Sequence, residues 1–285
     1  RRPSMTRIAR ASLLSPSASP TAEPPWTQRS HGLILDLDGT LIRGHEVIPG
    51  AGELLTRWAG RYVIVSNNST DTAAGLAPRL RALGLPVQAD SLVLAGEQAV
   101  RHIARGHPRA RLMLCGSETL RACAAGLDLA LVTRDADIVL LARDRDFSYA
   151  TLQALARELA AGALLMVSNG DLTHPGPQGS VVPETGALLR AVLACAPGIR
   201  PLILGKPAAM LFQEGLRRLG LPAGDVTVIG DNARTDALGA ARLGMAYLLV
   251  GDAPHADAPD MARLLAAARP RRHALPEGIA ADADQ

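Results

Sequence analysis

Gly32-Leu33-Ile34-Leu35-Asp36-Leu37-Asp38-Gly39-Thr40 is an apolar run that stops in two acids and a Gly-Thr turn. It reads as a buried strand, Gly32–Asp38, whose end carries charge. Side chains alternate across a strand, so Asp36 and Asp38, two residues apart, point to one side. Two adjacent carboxylates repel each other, which favours a bound cation or a shared proton. A turn or helix cap would use one of these acids and leave the other unexplained.

The same grammar recurs along the chain. Tyr62–Ser66, Arg111–Cys115, Asp137–Ala142, Ala163–Val167, Pro201–Leu204, Asp225–Ile229 and Met245–Val250 read as strands. Thr72–Leu83, Tyr149–Ala160, Thr185–Ala194, Ala208–Leu219 and Thr235–Leu243 read as helices, with one short helix expected after Gly251. Strands alternating with helices predict an α/β fold, a mostly parallel sheet covered on both faces. In such sheets ligands gather at the carboxyl ends of strands.

Polar residues stand at those ends. Ser66-Asn67-Asn68-Ser69 follows one apolar run; its hydroxyls, amides and backbone N–H groups suit phosphate oxygens near a helix start, though Ser and Asn are also ordinary turn residues. Lys206 follows another run and is the only lysine in a chain otherwise using arginine, which marks a place for a compact ammonium. Gly230-Asp231 closes a third, with Asp236 five residues on. Oxygen ligands from Asp36 and Asp231, with waters and phosphate, would suit octahedral Mg²⁺; the alternative for Asp231-Asn232 is a helix N-cap.

Composition narrows the class. No apolar run approaches the roughly 20 residues that span a bilayer. Cys115, Cys123 and Cys195 form neither a disulfide framework nor a metal spacing, which fits a reducing, cytoplasmic setting. The formal charge is +3 over 285 residues. Residues 1–30 hold Arg1, Arg2, Arg7, Arg10 and Arg29 against Glu23, a local +4, which leaves −1 (+3 less +4) for the rest. The folded part is therefore not basic, and nucleic acid is not an expected partner. Residues 1–30 read as a disordered tail rather than a transit peptide, and 271–285 as a flexible C-terminal tail.

Asp36-Leu37-Asp38-Gly39-Thr40, then Ser66, then Lys206, then Gly230-Asp231 with Asp236 resembles the four ordered motifs of the haloacid dehalogenase-like hydrolases, over about residues 32–250. The resemblance implies a Rossmann-like catalytic core formed by 31–86 and 201–270. It implies a phosphatase acting on a small phosphate ester with Mg²⁺. Asp36 would be the nucleophile that forms an aspartyl-phosphate, and Asp38 the general acid and then base, its backbone carbonyl also on the metal. Ser66 and Lys206 would hold the phosphoryl oxygens with Asn67 and Asn68 assisting, Asp231 would bind Mg²⁺, and Asp236 would support the metal shell or Lys206. Dehalogenating relatives lack the second aspartate, so Asp38 points to phosphoryl transfer.

The stretch between Ser66 and Lys206 is too long for a plain connection. Residues 87–200 are expected to form an inserted α/β cap. It resembles the large cap of the p-nitrophenyl, phosphoglycolate and pyridoxal phosphatases, a group that often dimerises through it. Local echoes are DGTLIRG at Asp38–Gly44, Phe147-Ser148-Tyr149 and Val167–Gly186. Asn169, Asp171 and His174-Pro175 are polar residues after a strand, and His174 matches a substrate-contacting position of that group. Gly170 and Glu184 depart from its pattern. The run Arg143-Asp144-Arg145-Asp146 reads as a solvated, self-paired stretch. Two other readings stay open: a phosphotransferase or receiver-like phospho-signalling protein, and an interaction protein with a vestigial site.

Overall fold

The computed structural model describes residues 26–28, 30–175 and 180–267. Its first sheet is parallel and five-stranded, with Gly32–Leu35 in the middle between Val226–Gly230 and Tyr62–Ser66. Ala246–Leu249 and Leu92–Leu94 complete the edges. Leu33 and Leu35 enter one core cluster with Ile64 and Trp58, while Ile34 enters another with Val63, Val65 and Phe212. Both faces are therefore covered, which is why these strands read as unbroken apolar runs. The chain winds one way from the central strand through Tyr62–Ser66 and the other way through Val226–Gly230. Asp36 thus stands at the topological switch point, where open α/β sheets bind ligands.

A second parallel sheet has the order Leu202–Ile203, Leu164–Val167, Ile138–Leu141, Arg111–Cys115, Ala130–Leu131. Its two faces are filled by clusters around Leu112, Leu114 and Leu140 and around Val139, Leu141 and Leu155.

Several expectations need correction. The cap boundaries at 87 and 200 both move: Leu92–Leu94 belongs to the first sheet and Leu202–Ile203 to the second. Each strand is too short to show a period, so neither announced its sheet. Helix Ala95–Gly106 follows Leu94 directly and sends Ala99, Val100 and Ile103 into the second sheet's core. The first strand ends at Leu35, not Asp38, although the Asp36 amide still donates to the Ile229 carbonyl at 2.8 Å. Leu37 then turns the chain, its carbonyl accepting from the amides of Leu41 and Ile42. The helix expected at Thr235–Leu243 is a π-helical turn, Ala233–Ala237, followed by Leu238–Arg242. Such wide turns recur at functional sites.

The tail expected over 1–30 is anchored at its end. Trp26 is wholly buried, stacks on Trp58 with ring centroids 5.7 Å apart, and donates from Nε1 to the Leu264 carbonyl at 3.3 Å. Leu264 lies on helix Met261–Ala267, the expected C-terminal helix. Residues 1–25 and the expected tail 271–285 lie outside the described residues.

Candidate active site

Three strand ends and one loop meet at Lys206. Its Nζ donates to Asp36 Oδ1 at 2.6 Å and to Asp236 Oδ1 at 2.7 Å, with all three side chains buried. Burial works against the ammonium, but Asp236 and Asp36 outweigh it and hold the lysine above its usual range. One carboxylate oxygen from each of Asp36, Asp231 and Asp236 lies within 4.8 Å of the others. Burial first, then the charges of Asp36 and Asp236, raises the pKa of Asp231. Asp236 is raised too, by burial first, against the pull of Lys206. Acids crowded this way gain from a cation.

The backbone is shaped to these acids. Gly39 has φ +88°, and a Cβ there would overlap the Asp231 carboxylate. A Cβ on Gly230 would overlap Asp236. The π-helical turn that carries Asp236 also lets Oδ2 accept from the Asn232 amide at 3.2 Å. Both Asp236 oxygens are thereby engaged, so this acid positions Lys206. An all-oxygen set fits a hard cation such as Mg²⁺.

Asp38 lies outside that group of oxygens. The residue is exposed at the surface, yet neighbouring protein atoms crowd its carboxyl. That desolvation first, and the charge of Asp36 next, push its pKa up to about 6; Glu184 and Asp71 add to the rise and Lys206 opposes it.

The loop after Tyr62–Ser66 differs from expectation. Ser66 is buried, its Oγ accepting from the Asn68 amide at 3.0 Å. Asn68 uses its side chain on its own loop, accepting from the amides of Thr70 and Asp71 and donating to Asp71 Oδ2. Asn67 Oδ1 accepts from the Lys206 amide at 2.8 Å, while its Nδ2 donates to the Lys206 carbonyl at 3.2 Å and to Asp171 Oδ2 at 3.0 Å. Both side-chain amides, expected on phosphate, make hydrogen bonds within the protein. Gly205 belongs to the same bracket, since a Cβ there would press on Asn67 Oδ1 and the Ser168 carbonyl. Asp171 is pushed up by burial, against the Asn67 hydrogen bond and Lys206.

A buried polar hub ties the second sheet to this loop. Asn169 Nδ2 donates to the Asn67 carbonyl, Ser69 Oγ and Thr185 Oγ1 at 2.9, 3.1 and 3.2 Å. The Arg143 amide donates to Ser69 Oγ at 3.1 Å. His174 sits on the hairpin of Thr173–Pro175 and Val181–Pro183, its Nδ1 2.7 Å from Glu184 Oε1. The same Oε1 is 3.3 Å from Arg143 Nη1. Arg143 was expected to pair within its own charge run; it reaches Glu184 instead. Sequence reasoning missed this pairing because its members are 41 positions apart in number, and pattern reading sees only near neighbours.

Comparison with known proteins agrees with this geometry. Residues 33–130 match the family model described as haloacid dehalogenase-like hydrolase, and residues 203–274 match a second, HAD-hydrolase-like model. Human chronophin is 35% identical over 240 residues, covering 78% of this chain and 81% of its own. The 5'-nucleotidase YutF of Bacillus subtilis is 29% identical over 222 residues, covering 77% and 86%. The crystal structure of glycerol phosphate phosphatase from Mycobacterium tuberculosis in complex with magnesium superposes with a TM-score of 0.72 at 30% identity, covering 78% of this chain and 68% of that one. The chain belongs to the haloacid dehalogenase-like hydrolases. Within them it stands among the phosphatases, the hydrolases of phosphoric monoesters.

Proposed function

We propose that this phosphatase is Mg²⁺-dependent and hydrolyses a small phosphorylated metabolite through an aspartyl-phosphate on Asp36. The observation that carries the reading is the Lys206 ammonium bound at once to Asp36 and Asp236, beside Asp231, at the carboxyl edge of the first sheet. Asp36, Asp231 and the backbone carbonyl of Asp38 would hold Mg²⁺, which supplies charge neutralisation and alignment for the phosphoryl group. The magnesium in the mycobacterial relative's structure supports that choice of ion.

In this reading an Asp36 carboxylate oxygen attacks phosphorus as the bond to the leaving oxygen breaks, and Asp38 gives that oxygen its proton. Asp38 then takes a proton from water, whose oxygen attacks the phosphoaspartate, releasing phosphate and restoring Asp36. An acid with a pKa near 6 is suited to both transfers around neutral pH. Lys206 and Ser66 steady the phosphoryl oxygens, and Lys206 keeps Asp36 oriented. The second sheet covers the cleft as a cap that limits water and selects the alcohol. The three cysteines support a cytoplasmic setting, and a homodimer through the cap belongs to the same proposal.

The test is phosphate release from p-nitrophenyl phosphate and a panel of metabolite esters, with Mg²⁺, with chelator, and in Asp36→Asn. Metal-dependent turnover that disappears in the variant is expected. Release that persists in Asp36→Asn would overturn the aspartyl-phosphate route, and a reaction stopping at one phosphate per chain would favour a receiver-like protein.

A further inference from the structure

Asp171 stands in the loop after Leu164–Val167, with its backbone secured on both sides. The Asp171 amide donates to Asn169 Oδ1 at 3.1 Å, and its carbonyl accepts from the Gly186 amide at 2.8 Å. Helix Thr185–Cys195 comes that close only because residue 186 is glycine: a Cβ there would overlap the carbonyl oxygens of Gly170 and Asp171. Asp171 is thus held in place before its side chain makes any contact.

Its Oδ2 accepts from Asn67 Nδ2 at 3.0 Å. A carboxylate and a carbonyl only accept, and a backbone N–H only donates, so the partners of Asn67 allow its amide one orientation. Nδ2 faces Asp171 and the Lys206 carbonyl, and Oδ1 faces the Lys206 amide. Asn67 therefore meets both backbone groups of Lys206 as a neighbouring strand would. Its own carbonyl accepts from Asn169 Nδ2 at 2.9 Å, so Asn169 sets the backbone of Asn67 and of Asp171 alike. Gly205 leaves no slack, since a Cβ there would stand 2.6 Å from Asn67 Oδ1. At the far end of the lysine, Nζ is fixed by Asp36 and Asp236. The stem is pinned at both ends, and Asp171 is the outermost member of a chain that runs through Asn67 and Lys206 to Asp36.

We propose that Asp171 is a positioning residue for phosphoryl transfer: it sets the Asn67 amide, which seats the Lys206 backbone and so places Nζ against Asp36 and the phosphoryl group. This rests on the phosphatase reading above. What Asp171 supplies is an acceptor oxygen rather than a proton, and its effect falls on the phosphoryl end that all esters share.

The test measures kcat and KM for p-nitrophenyl phosphate and for an alkyl phosphate, in chains shown by circular dichroism to be folded. Asp171→Ala should lower kcat by about 10²-fold, by the same factor on both esters and with less change in KM. A purely structural role would lower the urea midpoint and leave the kcat of the folded chain alone. Asp171→Asn, whose amide oxygen can still accept from Asn67, should recover about tenfold of the loss, because a neutral acceptor keeps roughly half the strength of a charged one. Should the alanine variant not fold, donor and acceptor can be exchanged. Asn67→Asp sets two carboxylates against each other, and adding Asp171→Asn to it should raise kcat at least about tenfold. A kcat unchanged in Asp171→Ala, an asparagine variant as poor as the alanine one, a loss confined to one ester, or an exchange that recovers nothing would overturn the assignment. Wild-type failure to release phosphate from either ester would sink the phosphatase reading itself, a separate result.

Discussion

Replacing Lys206 with methionine keeps the length of the stem and removes the charge. In the folded protein this leaves Asp36, Asp231 and Asp236 close together with no ammonium among them. Two charge-assisted hydrogen bonds are lost, each worth about 1.5–3 kcal/mol. Breaking a buried pair on one side costs about 3–5 kcal/mol, and that is the loss expected at pH 8. Relief comes if one acid takes up a proton. Burial already holds Asp231 and Asp236 above the ordinary carboxylate range, and removing Lys206 raises them further. An acid whose folded pKa is raised destabilises the fold progressively as pH climbs above its unfolded value of about 4. In wild type Lys206 stays charged throughout, because its own pKa lies above the usual lysine range. The variant's deficit should therefore be smaller at pH 5.5 than at pH 8, by at most about 3 kcal/mol at about 1.4 kcal/mol per pH unit. Urea unfolding at the two pH values measures this, and Mg²⁺ should recover part of the loss by supplying another cation. A deficit below about 1 kcal/mol at pH 8, or one equal at both pH values, would refute the reasoning.

Asp38→Asn should lower kcat/KM roughly 10²–10⁴-fold for an alkyl phosphate and much less for p-nitrophenyl phosphate, whose alcohol leaves without a proton. In wild type, kcat/KM for the alkyl ester should fall as pH rises through about 6, where Asp38 loses its proton, and that limb should be missing from the variant. Gly39→Ala forces a Cβ into the Asp231 carboxylate at a positive φ, so the Mg²⁺ concentration for half-maximal activity should rise about 10–100-fold; a metal titration reads it. Trp26→Ala removes a fully buried ring stacked on Trp58 and should cost about 3–5 kcal/mol in urea unfolding. A loss under 1 kcal/mol would mean that the first described turn adds nothing to the core.

The acids and the lysine could be read from the chain because each terminates an apolar run, a signal contained within a few residues. Asp36, Lys206 and Asp231 are therefore found by pattern, and the structure brings them together as expected. Asn67 and Asn68 show the opposite case, since their structural contacts could not be read from the chain. An amide after a strand has the same local signature whether it meets a ligand or a backbone 139 residues away. Leu92–Leu94 has no turn chemistry of its own, and only its pairing with Tyr62–Ser66 reveals its sheet. Glu184 stood out as a departure from pattern, but its meaning lies in Arg143 and His174, which converge on it only after the second sheet has formed. Trp26 is silent in sequence because its partners, Trp58 and Leu264, come from opposite ends of the core.

The Asn67 amide grips both backbone groups of Lys206 and the carboxylate of Asp171, in the loop after Leu164–Val167. The grip makes this single side chain a thermodynamic link between two parts of the molecule. Whatever seats Asp171 more firmly also narrows the positions open to Lys206, and by reciprocity whatever orders Lys206 steadies Asp171. Order at Lys206 and order at Asp171 are therefore coupled through the same three hydrogen bonds.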